Sequence, residues 1–353
     1  MSGAHEAGRR PDRIAVFVEN RPFFGALIVH LPLLHALRTR HPAARVALFS
    51  PFEEAAQLVD LGAADQLVRY TGRFADVRAR LARFAPDAAI VLRPASRWLD
   101  LAVATSGTRE RAGFDSWLAP LAYTRRVPHD TSIYRPRKYL TLIERREDAL
   151  AAPLDPWFRL AAAVAPDARE RGELAILPGG GAGDFKRWGA GHFLELAAQL
   201  AADDASLRFA WVLGPQEAAL AARIAASPVA ERSRCVVARP VAELAALAFS
   251  ARGAVGNDCG PGHVFQMCGC PFACVMSDHD GEAKLRVAEW IDAPWRGLAS
   301  VSAPGRPIAD VAPEVVAANV RRMLATAPEP TAGPDATAPA AASFEAAPPV
   351  KTR

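Results

Sequence analysis

The densest gathering of chemically useful residue types is the stretch 253–277, GAVGNDCGPGHVFQMCGCPFACVMS. Residues 253–256 read as the end of a buried strand, and Asn257, Asp258, Cys259 and Gly260 as a tight turn. Pro261 stands where a first helical residue belongs, since a missing N–H costs nothing there and its fixed φ suits a helix. The helix is predicted over 261–268; Gly269 ends it in a left-handed cap, Pro271 prevents its resumption, and 272–276 reads as the next buried strand. Such a unit brings unpaired backbone N–H groups and the positive end of a helix dipole to one point. That point suits a phosphate or diphosphate, with His263 adding a donor from the first turn. The alternative is an ordinary strand–turn–helix unit with a polar turn. A second group lies upstream in PGGGAGDFKRWGAGHF, residues 178–193, a glycine-rich loop carrying Lys186, Arg187 and Trp188. Its spacing fits neither GxGxxG nor GxxxxGK[ST], so dinucleotide and P-loop readings are weak. Lys186 is suited to meet a diphosphate as a mobile point charge.

Cysteine usage points away from metals and disulfides. All five cysteines follow residue 234, and Cys259, Cys268, Cys270 and Cys274 show neither a CxxC pair nor zinc-like spacing. They read as buried thiols or turn residues, with no metal and no cofactor expected. The 353 residues are long enough for two domains of ordinary size, and 51% of them are apolar. No apolar run approaches the roughly 18 residues of a membrane span. The N-terminus, MSGAHEAGRRPDR, lacks the apolar centre of a signal peptide, so a cytoplasmic location is expected.

Charge is unevenly spread. Residues 1–150 carry 23 Lys+Arg against 16 Asp+Glu, net +7, whereas the remainder carries 19 against 22, net −3. A basic first half suits an anionic partner or a membrane surface; an arginine-rich composition from a GC-rich genome gives the same excess with no partner. Nucleic acid is not expected, because neither a recognition helix nor an aromatic-plus-basic RNA motif is present.

These residues need a scaffold, and the chain alternates strands with helices throughout, which indicates doubly wound parallel sheets. In the first half, strands are predicted over 14–19, 46–49, 64–68 and 87–92, with 113–115 as strand or loop. A helix over 26–40 buries Leu27, Leu31, Leu34 and Leu37, and Pro32 should kink or divide it. A less regular connection, 116–136, leads into the densest basic cluster, Arg125, Arg126, Arg135, Arg137 and Lys138. Two readings fit that cluster, a mobile loop gripping an anionic acceptor and a solvated surface turn. Residues 153–166 read as a crossing between domains. In the second half, strands are predicted over 173–177, 208–213 and 235–238, followed by the stretch described first and a last amphipathic helix over 313–325. Residues 326–353 are rich in Pro, Ala and Thr, lack any period, and are expected to be disordered.

From about residue 13 to 325 the chain resembles glycosyltransferase family 9, the ADP-heptose:lipopolysaccharide heptosyltransferases. The family's signature of a PG loop, KRW and a DTGP-x-H turn is matched by Pro178-Gly179, by Lys186-Arg187-Trp188, and by Asp258-Cys259-Gly260-Pro261-Gly262-His263. Pro32-Leu33 and His41-Pro42 match the family's first helix and its end. The resemblance implies an α/β GT-B architecture of two Rossmann-like doubly wound domains facing a cleft. On this chain it implies an acceptor-binding domain over 13–155 and a nucleotide-sugar-binding domain over 156–325, with disordered ends at 1–12 and 326–353. It also implies inverting, metal-independent transfer of heptose or a related sugar from ADP-heptose to a lipopolysaccharide core or related surface glycan. The donor would be held by Lys186, Asp258, Cys259, Gly260 and His263, with Lys186 and the N–H groups near Cys259 and Gly260 neutralising the diphosphate leaving group. The expected partners are the nucleotide sugar, an anionic glycolipid or glycan acceptor, and the inner membrane through a peripheral contact.

Departures from the family pattern bear on catalysis. The family carries Gly-Asp at the start of its first helix, the Asp serving as general base; here the pair is Gly25-Ala26. The Thr of the DTGP turn is Cys259, and Gly189 follows Trp188 where the family has Pro. Another base must therefore reach the acceptor hydroxyl. Glu19, at the end of the first strand, is one candidate, because the C-terminal ends of parallel strands line ligand crevices. His30, one helical turn after Ala26, is the other. A salt-bridged loop carboxylate and a half-buried helix histidine are the plainer readings of those two. A non-catalytic relative that binds a nucleotide sugar is the alternative for the whole chain.

Overall fold

The computed structural model describes residues 11–18, 21–94, 96–164, 172–181, 183–237 and 240–326. The first sheet holds β1 (Arg13–Phe17), β2 (Arg45–Ser50), β3 (Gln66–Arg69), β4 (Ala88–Val91), β5 (Glu110–Phe114) and β6 (Arg125–Val127), in the spatial order β3-β2-β1-β4-β5-β6. The second holds β7 (Leu174–Leu177), β8 (Phe209–Leu213), β9 (Ser233–Val237), β10 (Gly253–Asn257), β11 (Phe272–Met276) and β12 (Ser300–Val301), in the order β12-β11-β10-β7-β8-β9. All pairings are parallel. These are the two doubly wound Rossmann-like sheets expected of GT-B.

Burial explains which runs became central. Every residue of β4, β7, β10 and β11 is buried, as helices on both faces require. The outermost strands β3 and β6 instead keep partly or wholly exposed residues. In each sheet the strand order reverses once, between β1 and β4 and between β7 and β10. A crevice opens at such a reversal, beyond the C-terminal ends of the strands.

The helix expected over 26–40 is divided into Phe24–Ile28 and Leu31–Arg40. Pro32 falls in the first turn of the second piece, where its missing N–H has no partner to lose. Leu27, Leu31, Leu34 and Leu37 are buried as the periodicity predicts. Pro11 is buried, the Asp12 N–H donates to the Asp87 carboxylate, and Thr326 ends the last helix, Pro313–Thr326. The rest of the two expected disordered ends lies outside the described residues. No helix among those residues is long and apolar enough to cross a membrane.

The basic cluster is corrected by the structure. Arg125 and Arg126 open β6, and Arg135, Arg137 and Lys138 lie on a short helix, Arg135–Leu140, rather than on a mobile loop or solvated turn. That helix packs on Leu31–Arg40 and docks against the second half of the chain. Arg135 and Lys138 both pair with Glu289, and Arg137 grips Asp292 through Nε and Nη2, each at 2.9 Å. The Arg135 guanidinium also lies 4.1 Å from the centre of the Trp290 ring. Sequence alone shows the cations of this cluster; their acids are some 150 residues away. The crossing expected over 153–166 likewise contains a helix, Pro156–Ala163, with Trp157 and Phe158 buried against the helix Val241–Ser250. One continuous apolar core thus reaches from Leu27 and Tyr139 to Leu244 and Phe265.

Removing Glu289 tests how tightly the halves depend on this junction. The Arg135, Lys138 and Glu289 side chains are only 7%, 1% and 14% exposed. Glu289→Ala removes the carboxylate that two buried cations share and is expected to cost about 3–5 kcal/mol in urea denaturation. Burial acts to raise the Glu289 pKa, but Arg135 and Lys138 outweigh it and hold the carboxyl below its usual 4.5. Its contribution is therefore present above pH 4.5 and is lost as pH falls through the lowered value. Denaturation curves of the variant should show less loss of stability over that acid range than the parent chain.

Candidate active site

Two loops meet at the reversal point of the second sheet. One follows β7 and carries Pro178 to Trp188; the other follows β10 and carries Asp258 to His263. Because β7 and β10 are neighbours with Gly256 beside Leu177, residues some 70 positions apart reach one place. Asn257, fully buried at the end of β10, holds the two loops in register. Its Nδ2 donates to the carbonyls of Pro178 (2.7 Å) and Gly179 (3.2 Å), and its Oδ1 accepts from the Trp188 N–H. The Trp188 indole N–H in turn donates to the Val311 carbonyl at 2.7 Å. The sequence reading placed Asn257 in the turn; the structure makes it the last residue of β10, and its bridging role depends on partners some 70 to 80 residues away.

The turn and helix form as the residues dictate. The helix is Gly260–Met267, with Cys259 extended at its N-cap and Pro261 in its first turn. Gly269 follows with φ of 78°, the left-handed cap that a side chain disfavours. No side chain caps the N-terminus, so its dipole faces the surrounding groups.

Lys186, Asp258 and His263 converge there. The Lys186 ammonium donates to Asp258 Oδ2 at 2.5 Å, and Asp258 Oδ1 lies 3.8 Å from His263 Nε2. His263 Nδ1 is 3.2 Å from the Tyr134 hydroxyl, which comes from the segment just before the basic helix. Burial lowers the His263 pKa to about 4, beyond what Asp258 restores, while Lys186 and Arg135 lower it further. Burial also keeps Tyr134 protonated. A neutral imidazole that accepts from the Tyr134 hydroxyl at Nδ1 carries its proton on Nε2, facing Asp258. Lys186, whose side chain is 26% exposed, is the open side of the group.

Cys259 contributes its backbone rather than its sulfur. Burial pushes its thiol up to about 12, although the Gly262 N–H pulls it down. Cys268, Cys270 and Cys274 are likewise buried free thiols whose pKa values burial raises.

The first sheet closes over this point. A Cβ on Gly260 would lie 2.3 Å from the Phe24 ring, and one on Gly25 would lie 3.1 Å from the Gly260 Cα. Only a pair of glycines permits this backbone approach. Ala26, next in line, is buried. His30 is not part of the group: it is fully buried, donates from Nδ1 to the Leu27 carbonyl (2.9 Å) and stacks on Tyr139 at 5.0 Å. A base must reach the proton it removes, and this ring is sealed in the core by the break between the two helices. Glu19 lies outside the described residues.

A cleft of about 260 Å³ adjoins the group, lined in part by Pro178, Arg187, Gln216 and Glu217. The Glu217 carboxylate presses on Gly179 and Gly214, where added Cβ atoms would meet it at 3.4 and 2.8 Å. Glu217 was missed in the sequence; the glycine–proline turn after β8 was the available signal.

The His263 environment gives a direct check. Unfolded, a histidine takes its proton near pH 6.5, whereas His263 stays neutral until about pH 4. Between those values the unfolded chain binds the extra proton, so stability falls as pH drops from 6.5 towards 4 and levels off below. Histidine NMR should show the His263 imidazole resisting protonation through that window, and His263→Gln should flatten the corresponding part of the stability curve.

Comparison with known proteins agrees with this geometry. No curated protein matches the chain. Among solved structures, E. coli ADP-heptose LPS heptosyltransferase II is 18% identical with a TM-score of 0.57, covering 89% of this chain and 98% of its own. E. coli heptosyltransferase WaaC with ADP-2-deoxy-2-fluoro heptose is 18% identical with a TM-score of 0.59, covering 88% and 99%. UDP-GlcNAc 2-epimerase from Neisseria meningitidis, bound to UDP-GlcNAc, is 10% identical with a TM-score of 0.53, covering 89% and 91%. At such identities these likenesses establish the shared fold. The sequence profile of glycosyltransferase family 9 (heptosyltransferase) matches residues 95–274, a span that includes the Lys186 loop and the Asp258–His263 turn. The chain belongs to glycosyltransferase family 9.

Proposed function

We propose that this chain is an inverting, metal-independent glycosyltransferase that moves heptose, or a related sugar, from ADP-heptose to a lipopolysaccharide core or related surface glycan. The observation that carries this reading is the convergence of Lys186, Asp258, His263 and the Gly260–Met267 helix N-terminus at the reversal point of the second sheet. Lys186 and the helix N-terminus take up the charge that develops on the diphosphate as its bond to the sugar breaks. The nucleoside occupies the adjoining cleft, where the Glu217 carboxylate is an acceptor for ribose hydroxyls. The acceptor hydroxyl approaches from the side of the first sheet, loses its proton to a base, and attacks the anomeric carbon opposite the departing diphosphate. One C–O bond forms as the other breaks, and configuration inverts. ADP-heptose is favoured as donor because a family member of the same fold was solved with its 2-fluoro analogue. We place the reaction in the cytoplasm, at the membrane surface.

One observation favours a second reading. Ala26 holds an aliphatic, buried position where the family carries its acid. A relative that binds the nucleotide sugar without transferring it would retain Lys186 and Asp258 and lose the acid, as here.

Titration calorimetry with ADP-heptose beside UDP- and GDP-sugars, without acceptor, tests the donor assignment. Selective binding of ADP-heptose is the expected result, and no binding to any of them would overturn the donor site. Lys186→Ala should weaken that binding by about 1–3 kcal/mol, the loss typical of a charge-assisted hydrogen bond. For the base, Glu19→Gln should abolish transfer while leaving donor affinity unchanged. An unimpaired rate would remove Glu19 from the mechanism, and no transfer by the parent chain to any glycolipid acceptor would favour the second reading.

A further inference from the structure

The loops that carry Lys186 and Asp258 have a neighbour on each flank. In the order β11-β10-β7-β8, the loop after β8 carries Glu217 and lines the cleft proposed for the nucleoside. The loop after β11 carries Ser277 and His279 on the opposite flank. A second, shallow recess opens there, lined in part by Phe185, Lys186, Asp258, Ser277, His279 and Arg286. At about 10 Å³ it admits a single water-sized group. Phe185 and His279 lie outside the Lys186–Trp188 and Asp258–His263 motifs, and neither has a task in holding the diphosphate.

Phe185 is a large apolar side chain kept in the open. It lies on the short turn Asp184–Lys186, directly before the lysine, and is 42% exposed. Its ring is nevertheless held on two sides. Gly183, at a φ of 123°, runs so close that an added Cβ would meet the ring at 3.2 Å. The His279 ring lies 4.7 Å from it between centroids, tilted by 45°. His279 is steadied in turn by the buried Ser277 hydroxyl, 3.0 Å from its Nδ1. A fixed, exposed aromatic face beside a few polar groups suits a ligand with an apolar face and a hydroxylated rim. A pyranose is such a ligand, because its C–H bonds meet the negative face of an aromatic ring while its hydroxyls project sideways.

Charge selects the same class. Lys186 is paired with Asp258 and is the group that meets the diphosphate. Arg286, the other cation of the lining, is engaged by Asp280 at 2.5 Å and lies 3.8 Å from Asp278. This flank therefore offers no spare cation among the described residues to a second anionic group, and an uncharged ligand fits it.

We propose that Phe185 and His279 form the subsite for the transferred sugar, an uncharged pyranose whose C–H face lies on Phe185 while one hydroxyl enters the recess between Asp258 and His279. The inference rests on the diphosphate placement of the proposed function: with the nucleoside on the β8 flank, the sugar beyond the diphosphate falls on the β11 flank. It makes Phe185 a residue that tells the nucleotide sugar from the bare nucleoside diphosphate. Contacts gathered on Phe185 vanish once the sugar is transferred, so the spent nucleotide is held less tightly than the donor.

The test is titration calorimetry of ADP-heptose beside ADP on the full chain. The parent should bind ADP-heptose more tightly than ADP. Phe185→Ala should weaken ADP-heptose binding about three- to tenfold, the range for one lost ring contact, and leave ADP binding unchanged. Phe185→Tyr keeps the ring and should retain the parent's preference, whereas His279→Ala should again weaken ADP-heptose alone. Both side chains are substantially exposed, so the variants should keep the parent's thermal transition. An unchanged ADP-heptose affinity in Phe185→Ala would overturn the proposal, as would an equal loss of both ligands, which would assign the ring to shaping the Lys186 loop. Equal affinity of the parent for ADP and ADP-heptose would sink the sugar subsite and leave the diphosphate placement standing. Absence of ADP binding by the parent would remove that placement and the subsite with it.

Discussion

The arrangement of the candidate site rests on one buried carboxylate, Glu289, shared by Arg135 and Lys138. At 2.9 Å and an effective dielectric constant of about 20, the Arg135 contact is worth roughly 6 kcal/mol of Coulomb attraction. Desolvating the ions costs several kcal/mol apiece, so the net stabilisation is small and the chief consequence is geometric. Each cation has a further contact: the Trp290 ring face lies under Arg135, and the His129 imidazole is 3.3 Å from Lys138 Nζ. With the helix Arg135–Leu140 fixed in this way, Tyr134 has one place to go, beside His263. The chain Glu289, Arg135, Tyr134, His263, Asp258, Lys186 thus runs from the junction of the two halves to the ammonium at the site.

This chain has an electrostatic consequence. His263 is surrounded by groups that resist a further positive charge, Lys186 and Arg135 among them, and burial acts in the same direction. A neutral imidazole leaves Asp258 to Lys186 alone, and the pair is held at 2.5 Å. Lys186 is thereby kept ready without being buried and unpaired. An incoming diphosphate would add to the Asp258 charge rather than replace it. It would have to be met by the open side of Lys186 together with the N–H groups and dipole of the Gly260–Met267 helix. The same reasoning makes the Thr-to-Cys change at 259 tolerable, since the backbone N–H groups remain and the thiol stays protonated.

Much of this was legible in the sequence, and the limits have physical causes. The central strands of both sheets followed from apolar runs alternating with helical periods, whereas the short edge strands β6 and β12 carry no such run and were not predicted; the Gly260–Met267 helix followed from a proline at its start and a glycine past its end. Lys186, Asp258 and His263, which the structure brings together, could be named because their motifs are local: a turn, a cap and a first helical turn declare themselves within ten positions. Arg135 and Lys138 misled because a run of cations on a chain segment is ordinarily solvated, and nothing local shows a carboxylate 151 residues away. His30 misled for a different reason. It was placed one helical turn after residue 26 and on the same face, although Pro32 was expected to kink or divide the helix; the division falls between the two residues and makes His30 an N-cap whose ring turns into the core. Asn257 was read as a turn residue and Glu217 was passed over, because the partners that give each its place are tertiary.

The repeated topology narrows the question of the missing base. Both sheets share one strand order, so each offers its reversal point to the crevice: on the proposed reading the loops after β7 and β10 would hold the donor, and those after β1 and β4 would meet the acceptor. The chain after β4, residues 92–99, carries Arg93 and Arg97 but neither an acid nor a histidine. Asp100 lies one residue further on, but it is buried and engaged by Ser116 and Tyr123. After β1, between residues 18 and 29, Glu19 is the only carboxylate. Ala26 cannot accept a proton, and the ring of His30 is turned away. On the proposed reading Glu19 is the carboxylate that the sequence leaves after β1, and the contrast between an active transferase and a nucleotide-sugar-binding relative is put to the test at that side chain.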